Sequence, residues 1–315
     1  MKLSENLHLH CTRGRKGDCI HIHYAGKSGK WRNIIVDSGP ASAVSEFCRL
    51  YDSILQSGEC VDIMIVTHYD EDHIGALLKM ERTLSVGKLC FNVYDGSSSG
   101  STDLSASHAQ RLFHTKISGE KITSILAGDS LVLDGAVLYF IAPSVENRLG
   151  AMNAMRKAEE ELYDLSSGND WYRSIDELMG EDYPEEDRSV SNRASISFVF
   201  EYDVKRILIS GDSPGNSVKA GLKSFGFHSF NLVQLPHHGS ARNISEELLC
   251  DIACRNFLIS ADGVRHPDKL TVAKLLKKYD RIMVYCNYTW WNQSFLTADD
   301  MRYVDDGSLT FLSVD

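Results

Sequence analysis

The sequence predicts an α/β (α+β) fold of four layers, an αββα sandwich in which two sheets pack face to face and helices cover both outer sides. Two observations predict it. The order of elements is strand-rich, then strand-helix units, then strand-rich and strand-helix again. The 315 residues are 43% hydrophobic, which is enough for a full core. Two similar halves of this kind bury their apolar faces by packing sheet against sheet, so we expect a single domain over residues 1–315.

The first half begins with strands separated by turns, which the alternation of apolar residues predicts between Asn6 and Val36. A helix is expected near Ala43 to Gln56. The apolar run "VDIMIV" predicts a buried strand that ends at Thr67, and the next helix is expected to start at about Gly75. Further strands are expected in "KLCFNVYDG" and "SLVLDGAVLYFIAP", and the Asp134-Gly135 pair inside the latter is a hairpin turn signal.

The second half returns to strands in "ASISFVFEY" and "RILISGDS". Strand-helix units then follow, with strands in "FNLVQLP", "RNFLIS" and "RIMVYCN". Helices are expected near Ser245 to Cys250 and Leu270 to Tyr279, and "SLTFLSV" predicts a last strand. This order repeats the plan of the first half.

An acidic helical insertion is expected at about residues 145–188. This stretch contains 13 Asp and Glu against 5 Lys and Arg, out of a net charge of −10 for the chain. The rest of the chain is nearly neutral, so the overall charge does not exclude a polyanionic substrate. The insertion could serve a protein partner.

The remaining composition excludes several classes of protein. The sequence has no signal-peptide-like apolar run at its start and no apolar run approaching ~18 residues, so we expect no membrane association and a cytoplasmic location. Its eight cysteines are scattered without a CxxC pair, which argues against a disulfide framework and against a zinc ribbon.

The stretch "THYDEDHIG", from Thr67 to Gly75, carries the strongest chemical signal. Five of its nine residues could bind a cation, and they follow a predicted strand directly. Ligand groups in folds of this class usually sit at the carboxyl ends of strands. Without a cation, clustered carboxylates would repel one another and resist desolvation, which a divalent ion relieves. A solvated acidic turn is the alternative interpretation.

Three more polar clusters end apolar strands. Asp212 follows "RILISG", the pair His237 and His238 follows "VQLP", and His266 lies near the end of "FLISADGVRHP". Four clusters of carboxylates or histidines at four strand ends predict one shared site, and their number indicates two metal ions.

These motifs resemble the metallo-β-lactamase fold superfamily, whose signature is H-x-H-x-D-H followed by distant aspartate and histidine ligands. The resemblance runs over nearly the whole chain, from "KGDCIHI" and "IIVDSG" through "THYDEDHIGA" to "SGDS" and "LPHHGS". The set is most similar to the hydrolase domain of ComEC-type competence proteins. That branch combines H-x-D-x-D-H, an asparagine before an S-I strand, G-D, H-H-G-S and a final histidine-proline, here "HYDEDH", "SNRASI", "GDS", "HHGS" and "RHP".

The resemblance implies seven candidate metal ligands: His68, Asp70, Asp72, His73, Asp212, His237 and His238. His68 and Asp70 would hold one metal, and Asp72 with His73 would hold the other. Asp212 would bridge both ions. One histidine of the adjacent pair would complete the second metal, with His237 slightly favoured.

Two further aspartates resemble residues that support the ligands. Asp37 matches an aspartate that orders the metal loop through hydrogen bonds. Asp18, in the first hairpin turn, is expected either to act similarly or to cap that turn.

The sequence departs from the superfamily signature at two positions. Asp70 stands where a histidine is usual, which tilts the first metal from zinc toward manganese or magnesium. The usual middle histidine is also missing, and Asn192 takes its place by position. This asparagine is expected to bind metal weakly, to contact substrate, or only to begin a strand.

The resemblance implies a hydrolase with two divalent ions, Mn or Zn or else Mg, that uses a hydroxide bridging the metals. Asp72 would orient the nucleophile, and His266 would donate a proton, bind phosphate or merely fix its loop. The ComEC-like pattern favours a phosphodiesterase or nuclease acting on DNA, RNA or a small nucleotide. The alternatives are hydrolysis of a small ester, lactone or nucleotide, and a non-catalytic partner-binding protein on the same fold.

Overall fold

The computed structural model describes residues 1–14, 17–93, 116–157 and 170–314. Their strands form two sheets that pack against each other through a buried apolar layer. A second apolar layer joins the outer side of one sheet to helices, and a third does the same for the other sheet. The predicted αββα fold class is confirmed.

The first sheet follows chain order and is antiparallel at its start and parallel from its fourth strand onward. Its strands are β1 (Lys2–Ser4), β2 (Leu7–Cys11), β3 (Ile20–Ala25), β4 (Trp31–Val36), β5 (Val61–Ile65), β6 (Leu84–Cys90) and β7 (Ile117–Ile122). Helices α1 (Val44–Gln56) and α2 (Glu71–Lys79) cover its outer side. Strand β7 was not predicted, because four of its six residues are exposed and polar or glycine and give no apolar pattern.

The second sheet begins antiparallel and continues parallel. Its strands are β8 (Ser130–Leu133), β9 (Ala136–Ala142), β10 (Ser197–Tyr202), β11 (Lys205–Ile209), β12 (Leu232–Gln234), β13 (Asn256–Ile259), β14 (Ile282–Cys286) and β15 (Leu309–Ser313). The hairpin predicted at Asp134-Gly135 is confirmed, since both residues have positive φ (41° and 96°) and join paired strands.

The other helices of the described residues are α3 (Val145–Lys157), α4 (Ile175–Met179), α5 (Val190–Arg193), α6 (Gly215–Phe225), α7 (Glu246–Asp251), α8 (Lys269–Lys278) and α9 (Met301–Asp305). Four of them, α4, α6, α7 and α8, contribute buried residues to the apolar layer outside the second sheet. Within these ranges, no helix is both long enough and apolar enough to cross a bilayer.

Helix α2 begins at Glu71, four residues before its predicted start at Gly75. Glu71 and Asp72 place negative charge at its N-terminal end, where the helix dipole favours it. Residues 71–73, which were expected to precede the helix, are therefore its first turn. Gly75 instead permits a close approach, because a Cβ there would lie 2.3 Å from the backbone nitrogen of Ala41.

The acidic insertion is described only in part, because residues 158–169 lie outside the described ranges. The helix predicted over "AMRKAEEELYDL" falls mostly in that gap. Beyond it, the predicted helix in "WYRSIDELMG" is shorter than expected and covers Ile175–Met179, where Ser174 and Glu177 form a capping box. Trp171 is buried and donates from Nε1 to the carbonyl of Pro267 (2.9 Å). This part of the insertion is thus packed onto the second half of the fold.

A buried ion pair between Lys269 and Asp300 holds the part of the insertion from Trp171 to Ile175 in place. We therefore expect Asp300→Ala to lower the free energy of unfolding by about 3–5 kcal/mol. The Nζ of Lys269 lies 2.5 Å from Asp300 Oδ2 and donates to the carbonyls of Trp171 and Arg173. The other carboxylate oxygen of Asp300 accepts from the backbone nitrogen of Ile175 (2.6 Å). Alanine would leave a buried ammonium without its counter-charge, and urea unfolding measures the cost.

The matched control for this change is Asp299→Ala, because Asp299 is adjacent and exposed. We expect its unfolding curve to overlay that of the wild type. Equal stability of the two variants would show that the buried ion pair does not hold the segment in place.

Candidate metal centre

Asp37 lies beneath the segment that runs from Thr67 to His73. It follows β4 with a positive φ of 57°, a conformation that aspartate tolerates better than most residues. Its carboxylate accepts from the backbone nitrogen (2.8 Å) and the hydroxyl (2.7 Å) of Thr67, and lies 2.8 Å from Nδ1 of His73. One buried side chain thus ties the end of β5 to the first turn of α2.

Asp212 lies at the centre of the site, just after β11. The turn before it needs glycine, because Gly211 has φ of 50° and a Cβ there would lie 2.5 Å from Oγ of Ser195. The Asp212 backbone nitrogen donates to the same hydroxyl (3.2 Å), and its carbonyl accepts from Nδ2 of Asn243 (3.0 Å). The carboxylate is therefore held in a fixed, buried position.

The adjacent histidines after β12 point their rings in different directions. His237 and His238 both have positive φ, 47° and 56°, and Gly239 follows with 87°. The two imidazole planes make an angle of 69°, with centroids 5.8 Å apart. Residues next to each other in sequence thus reach different sides of the site.

Four imidazoles turn their Nε2 atoms toward the Asp212 carboxylate. His73 Nε2 lies 3.3 Å from its Oδ1. The other oxygen, Oδ2, lies 3.7 Å from His237 Nε2, 3.8 Å from His68 Nε2 and 3.9 Å from His238 Nε2. A single buried carboxylate is thus surrounded by four nitrogen donors.

Whereas Nε2 of each imidazole faces Asp212, its Nδ1 atom lies near a different protein oxygen. The contacts are Thr67 Oγ1 for His68 (3.0 Å), Asp37 Oδ2 for His73 (2.8 Å), Asp187 Oδ2 for His237 (3.4 Å) and Asp18 Oδ1 for His238 (3.4 Å). Such partners fix ring orientation and favour the tautomer with a lone pair on Nε2. All four rings are therefore set to present Nε2 to a ligand.

Asp18 lies between two polar partners rather than at the end of a turn alone. Its Oδ2 accepts from Nε2 of Gln234 (2.9 Å), and its Oδ1 faces His238. Its position relative to His238 matches that of Asp37 relative to His73, so the geometry favours the supporting role over simple turn capping.

The buried charges of the site are strongly coupled. Burial lowers the pKa of His73, but Asp212 and Asp37 outweigh it and raise that pKa well above its usual value. Burial likewise lowers the pKa of His238, and Asp212 and Asp18 raise it well above that value. Burial raises the pKa of Asp212, yet the surrounding histidines bring it well below its usual range. The buried carboxylates are thus stabilised by positive charge nearby, and a divalent cation supplies that charge.

The donor atoms of the site fit metal ions. Nε2 of His68, His73 and His238 and Oδ1 of Asp212 are buried and have no hydrogen-bond partner among the described residues. Buried polar atoms are rarely left unpaired. Two groups, His68 with His73 and Asp212, and Asp72 with His73 and His238, each bring their ligand atoms within 4.8 Å of one another. Imidazole and carboxylate together are common ligands of zinc and manganese.

The geometry assigns the two sides of the site differently from the sequence in one respect. Nε2 of His238, not of His237, lies near Oδ2 of Asp72 (3.7 Å) and in the group with His73. The geometry therefore favours His238 over His237 as the neighbour of Asp72 and His73, and which of the two histidines binds the second metal stays a prediction. On the other side, Asp70 Oδ2 lies 3.5 Å from Nε2 of His68.

Asn192 belongs to the short helix α5, so it does not begin a strand, which was one of the roles expected for it. The following strand, β10, begins only at Ser197. The Asn192 amide nitrogen donates to Oδ2 of Asp187 (2.6 Å), while its Oδ1 is buried without a hydrogen-bond partner in the described chain. The residue is close to the site, and its role as a ligand stays a prediction.

His266 lies at the mouth of the site. It lines a cavity together with Asp72, His237 and His238, and its ring centroid lies 5.1 Å from that of His237. Burial lowers its pKa, although Asp268, with Oδ1 at 3.6 Å from Nδ1, acts in the opposite direction. Arg265, an exposed residue, lines the same cavity.

Sequence reasoning missed three residues that the structure brings to the site. Asp187 lies beside His237, Asn243 donates to both Asp187 (3.2 Å) and Asp212, and Ser191 donates to Oδ1 of Asp70 (2.5 Å). The sequence gave no signal for them, because each lies in a polar segment with neighbours of the same type.

The fold and the cluster together define a metallohydrolase class. The family profile described as the metallo-beta-lactamase superfamily matches residues 29–224, which is more than half of the chain. The chain belongs to this superfamily. No curated protein matches the chain.

Several solved structures are similar to this chain. The zinc-bound PqqB of Methylobacterium extorquens has 11% identity, with 93% of this chain and 84% of that one covered and a TM-score of 0.43. A class B3 di-zinc metallo-beta-lactamase from an Alaskan soil metagenome has 16% identity, coverage of 74% and 76%, and a TM-score of 0.34. The metallo-beta-lactamase GOB-18 of Elizabethkingia meningoseptica has 14% identity, coverage of 72% and 70%, and a TM-score of 0.30. The family assignment rests on the profile match alone.

Proposed function

We propose that the chain is a phosphodiesterase or nuclease that depends on two divalent metals and is related to the hydrolase domain of ComEC-type competence proteins. The arrangement of four Nε2 atoms around the Asp212 carboxylate carries the proposal. Asp70 and Asp72 add oxygen donors on its two sides. Asp70 offers oxygen where the superfamily usually has a histidine, and each oxygen that replaces a nitrogen donor tilts a site from zinc toward manganese or magnesium, so we expect manganese to support the highest activity.

Two ions in this donor set would activate a water and stabilise charge developing on the phosphoryl oxygens. The protein's own contribution is positioning. Asp72 lines the cavity and would accept a hydrogen bond from the attacking water. Burial lowers the pKa of His266, which favours its neutral form, and the ring would donate a hydrogen bond to a phosphoryl oxygen.

The rim of the cavity supports an anionic substrate. Arg265 is exposed there, and a guanidinium recognises phosphate through paired hydrogen bonds. DNA, RNA and small nucleotides share this chemistry, so we propose a phosphodiester of one of these kinds. A protein partner for the acidic insertion stays a prediction.

The decisive assay is hydrolysis by protein purified without chelator and supplied with manganese, zinc or magnesium. Bis-p-nitrophenyl phosphate, single- and double-stranded DNA, RNA, cyclic nucleotides and lactones form the substrate panel. We expect phosphodiesters to be cleaved in a manganese-dependent way and lactones to be poor substrates. Binding of less than one metal equivalent with no phosphodiester cleavage would contradict the proposal, and preferential lactone cleavage would change the substrate class.

A further inference from the structure

The outer face of β2 and β3 carries four histidines that take no part in the metal centre described above. Side chains alternate between the two faces of a strand, so His8 and His10 share one face of β2, and the residues between them are buried in the layer between the sheets. The antiparallel register places His23 opposite His8 and His21 opposite His10. Two neighbouring strands therefore present two opposed pairs of imidazoles on the outer side of the first sheet.

A carboxylate stands beside one of these pairs. Oε2 of Glu59 lies 3.0 Å from Nε2 of His23, and the two side chains are only 22% and 26% exposed. Two ligand atoms on one tetrahedral zinc are about 3.3 Å apart, because each bond is about 2.0–2.1 Å long. The oxygen and the nitrogen are therefore separated by nearly the distance that a shared ion requires.

Asn33 holds Glu59 in this position. Its Nδ2 donates to Oε2 of Glu59 (2.8 Å) and to the carbonyl of Cys60 (3.1 Å), and its Oδ1 lies 2.8 Å from Nε2 of His21. The Asn33 side chain is buried. A buried amide of this kind orients a carboxylate in the way that the hydrogen-bond partners of metal ligands do.

His8 offers a third donor. Its Nε2 atom is buried and has no hydrogen-bond partner among the described residues. Its ring centroid lies 6.2 Å from that of His23, close to the separation of about 5–6 Å expected for two imidazoles on one zinc ion. Burial and, next, the charge of His23 lower the pKa of His8, which favours the neutral imidazole that binds metals.

We propose that His8, His23 and Glu59 form a zinc site on the outer face of the first sheet, additional to the metal centre at the strand ends. Two imidazoles and one carboxylate are a known set of protein ligands for zinc, with water in the fourth position. The three donor atoms do not all lie within 4.8 Å of one another in the described part of the chain, so the partly exposed His8 ring turns toward Glu59 when the ion binds. The ion would join the segment between α1 and β5 to β2 and β3.

The test compares the zinc bound by full-length wild type and by His23→Gln, measured by equilibrium dialysis against zinc chloride and elemental analysis. We expect the variant to hold one zinc ion fewer than wild type, whatever the occupancy of the metal centre. Glu59→Gln and His8→Gln are expected to weaken the same ion about tenfold or more. His228→Gln is the matched control, because it makes the same chemical change at an exposed histidine in the other half of the fold.

Trp31 gives a local readout of the same site. Its ring centroid lies 4.4 Å from that of His23 and 5.6 Å from that of His8, so zinc bound there should change its fluorescence. We expect this change to be smaller in His23→Gln and to persist in His228→Gln.

Equal zinc content in wild type, His23→Gln and Glu59→Gln would overturn the inference, whatever the fluorescence shows. Glu59→Gln keeps the shape of the side chain, so it decides the question if circular dichroism shows that His23→Gln is unfolded. The inference does not rest on the proposed function. A wild type that holds one ion more than these variants but cleaves no phosphodiester would overturn the proposed function alone.

Discussion

Asp212→Ala is expected to lose both metal ions and to reduce phosphodiester hydrolysis on the order of 10³-fold or more. Asp212 is the residue whose carboxylate faces all four imidazole Nε2 atoms. A bound metal contributes several kcal/mol of charge stabilisation in the transition state, and each 1.4 kcal/mol corresponds to about tenfold in rate. Elemental analysis measures the metal, and initial rates on bis-p-nitrophenyl phosphate measure the activity.

Two further variants make this result interpretable. Asp212→Asn keeps the shape of the side chain but has one acceptor oxygen and no charge, so we expect nearly the same loss. Asp280→Ala removes an exposed carboxylate just beyond α8 and should behave as wild type. Circular dichroism should show the same secondary structure in all three. Full metal content in either Asp212 variant would remove this residue from the centre of the site.

The sequence predicted which strand ends carry the candidate ligands because two simple signals coincide there. Buried strands appear as short apolar runs, and the polar residues that follow them must lie at the edge of a sheet. Asp37, His68, Asp212 and His237 all follow strands in this way. Parallel strands such as β4 with β5, and β11 with β12, bring such residues to a common edge.

The direction of each side chain was not available from the same signals. The imidazole rings of His237 and His238 point in different directions because both residues have positive φ angles. The identity of a histidine does not predict such an angle from the sequence. The start of α2 at Glu71 was also missed, because Gly75 looks like a helix boundary until its contact with Ala41 is known. Local patterns predict which elements exist, whereas contacts between distant residues decide these details.

Asp187 illustrates the same limit for the site. It is one of several acidic residues in its segment, and only its contacts with Asn192, Asn243 and His237 distinguish it from Glu185 and its other neighbours. Asn192 lies 5 residues from Asp187 in the sequence, and Asn243 lies 56 residues from it. Composition therefore predicted an acidic insertion but could not show that one of its carboxylates reaches the metal centre.

Asp72→Asn is expected to reduce turnover on the order of 10³-fold while removing only one of the two metal ions. Asp72 faces Nε2 of His238 and lies in the group with His73, away from His68. Burial raises its pKa, but His238 and His73 hold that pKa below the usual range, which favours the charged carboxylate. The substitution keeps the shape of the side chain and deletes that charge beside the cavity where the substrate would bind.

Glu71→Gln is the matched control, since Glu71 precedes Asp72 but turns away from the site. Its Oε1 accepts from the backbone nitrogen of Ala41 (2.9 Å), and a glutamine oxygen can do the same. We expect it to keep both metals and full turnover. Wild-type turnover in Asp72→Asn would exclude Asp72 from catalysis, even if Asp212→Ala were inactive. If Asp72→Asn loses one ion and Asp212→Ala loses two, Asp72 is a ligand of one metal and Asp212 is a bridge between both.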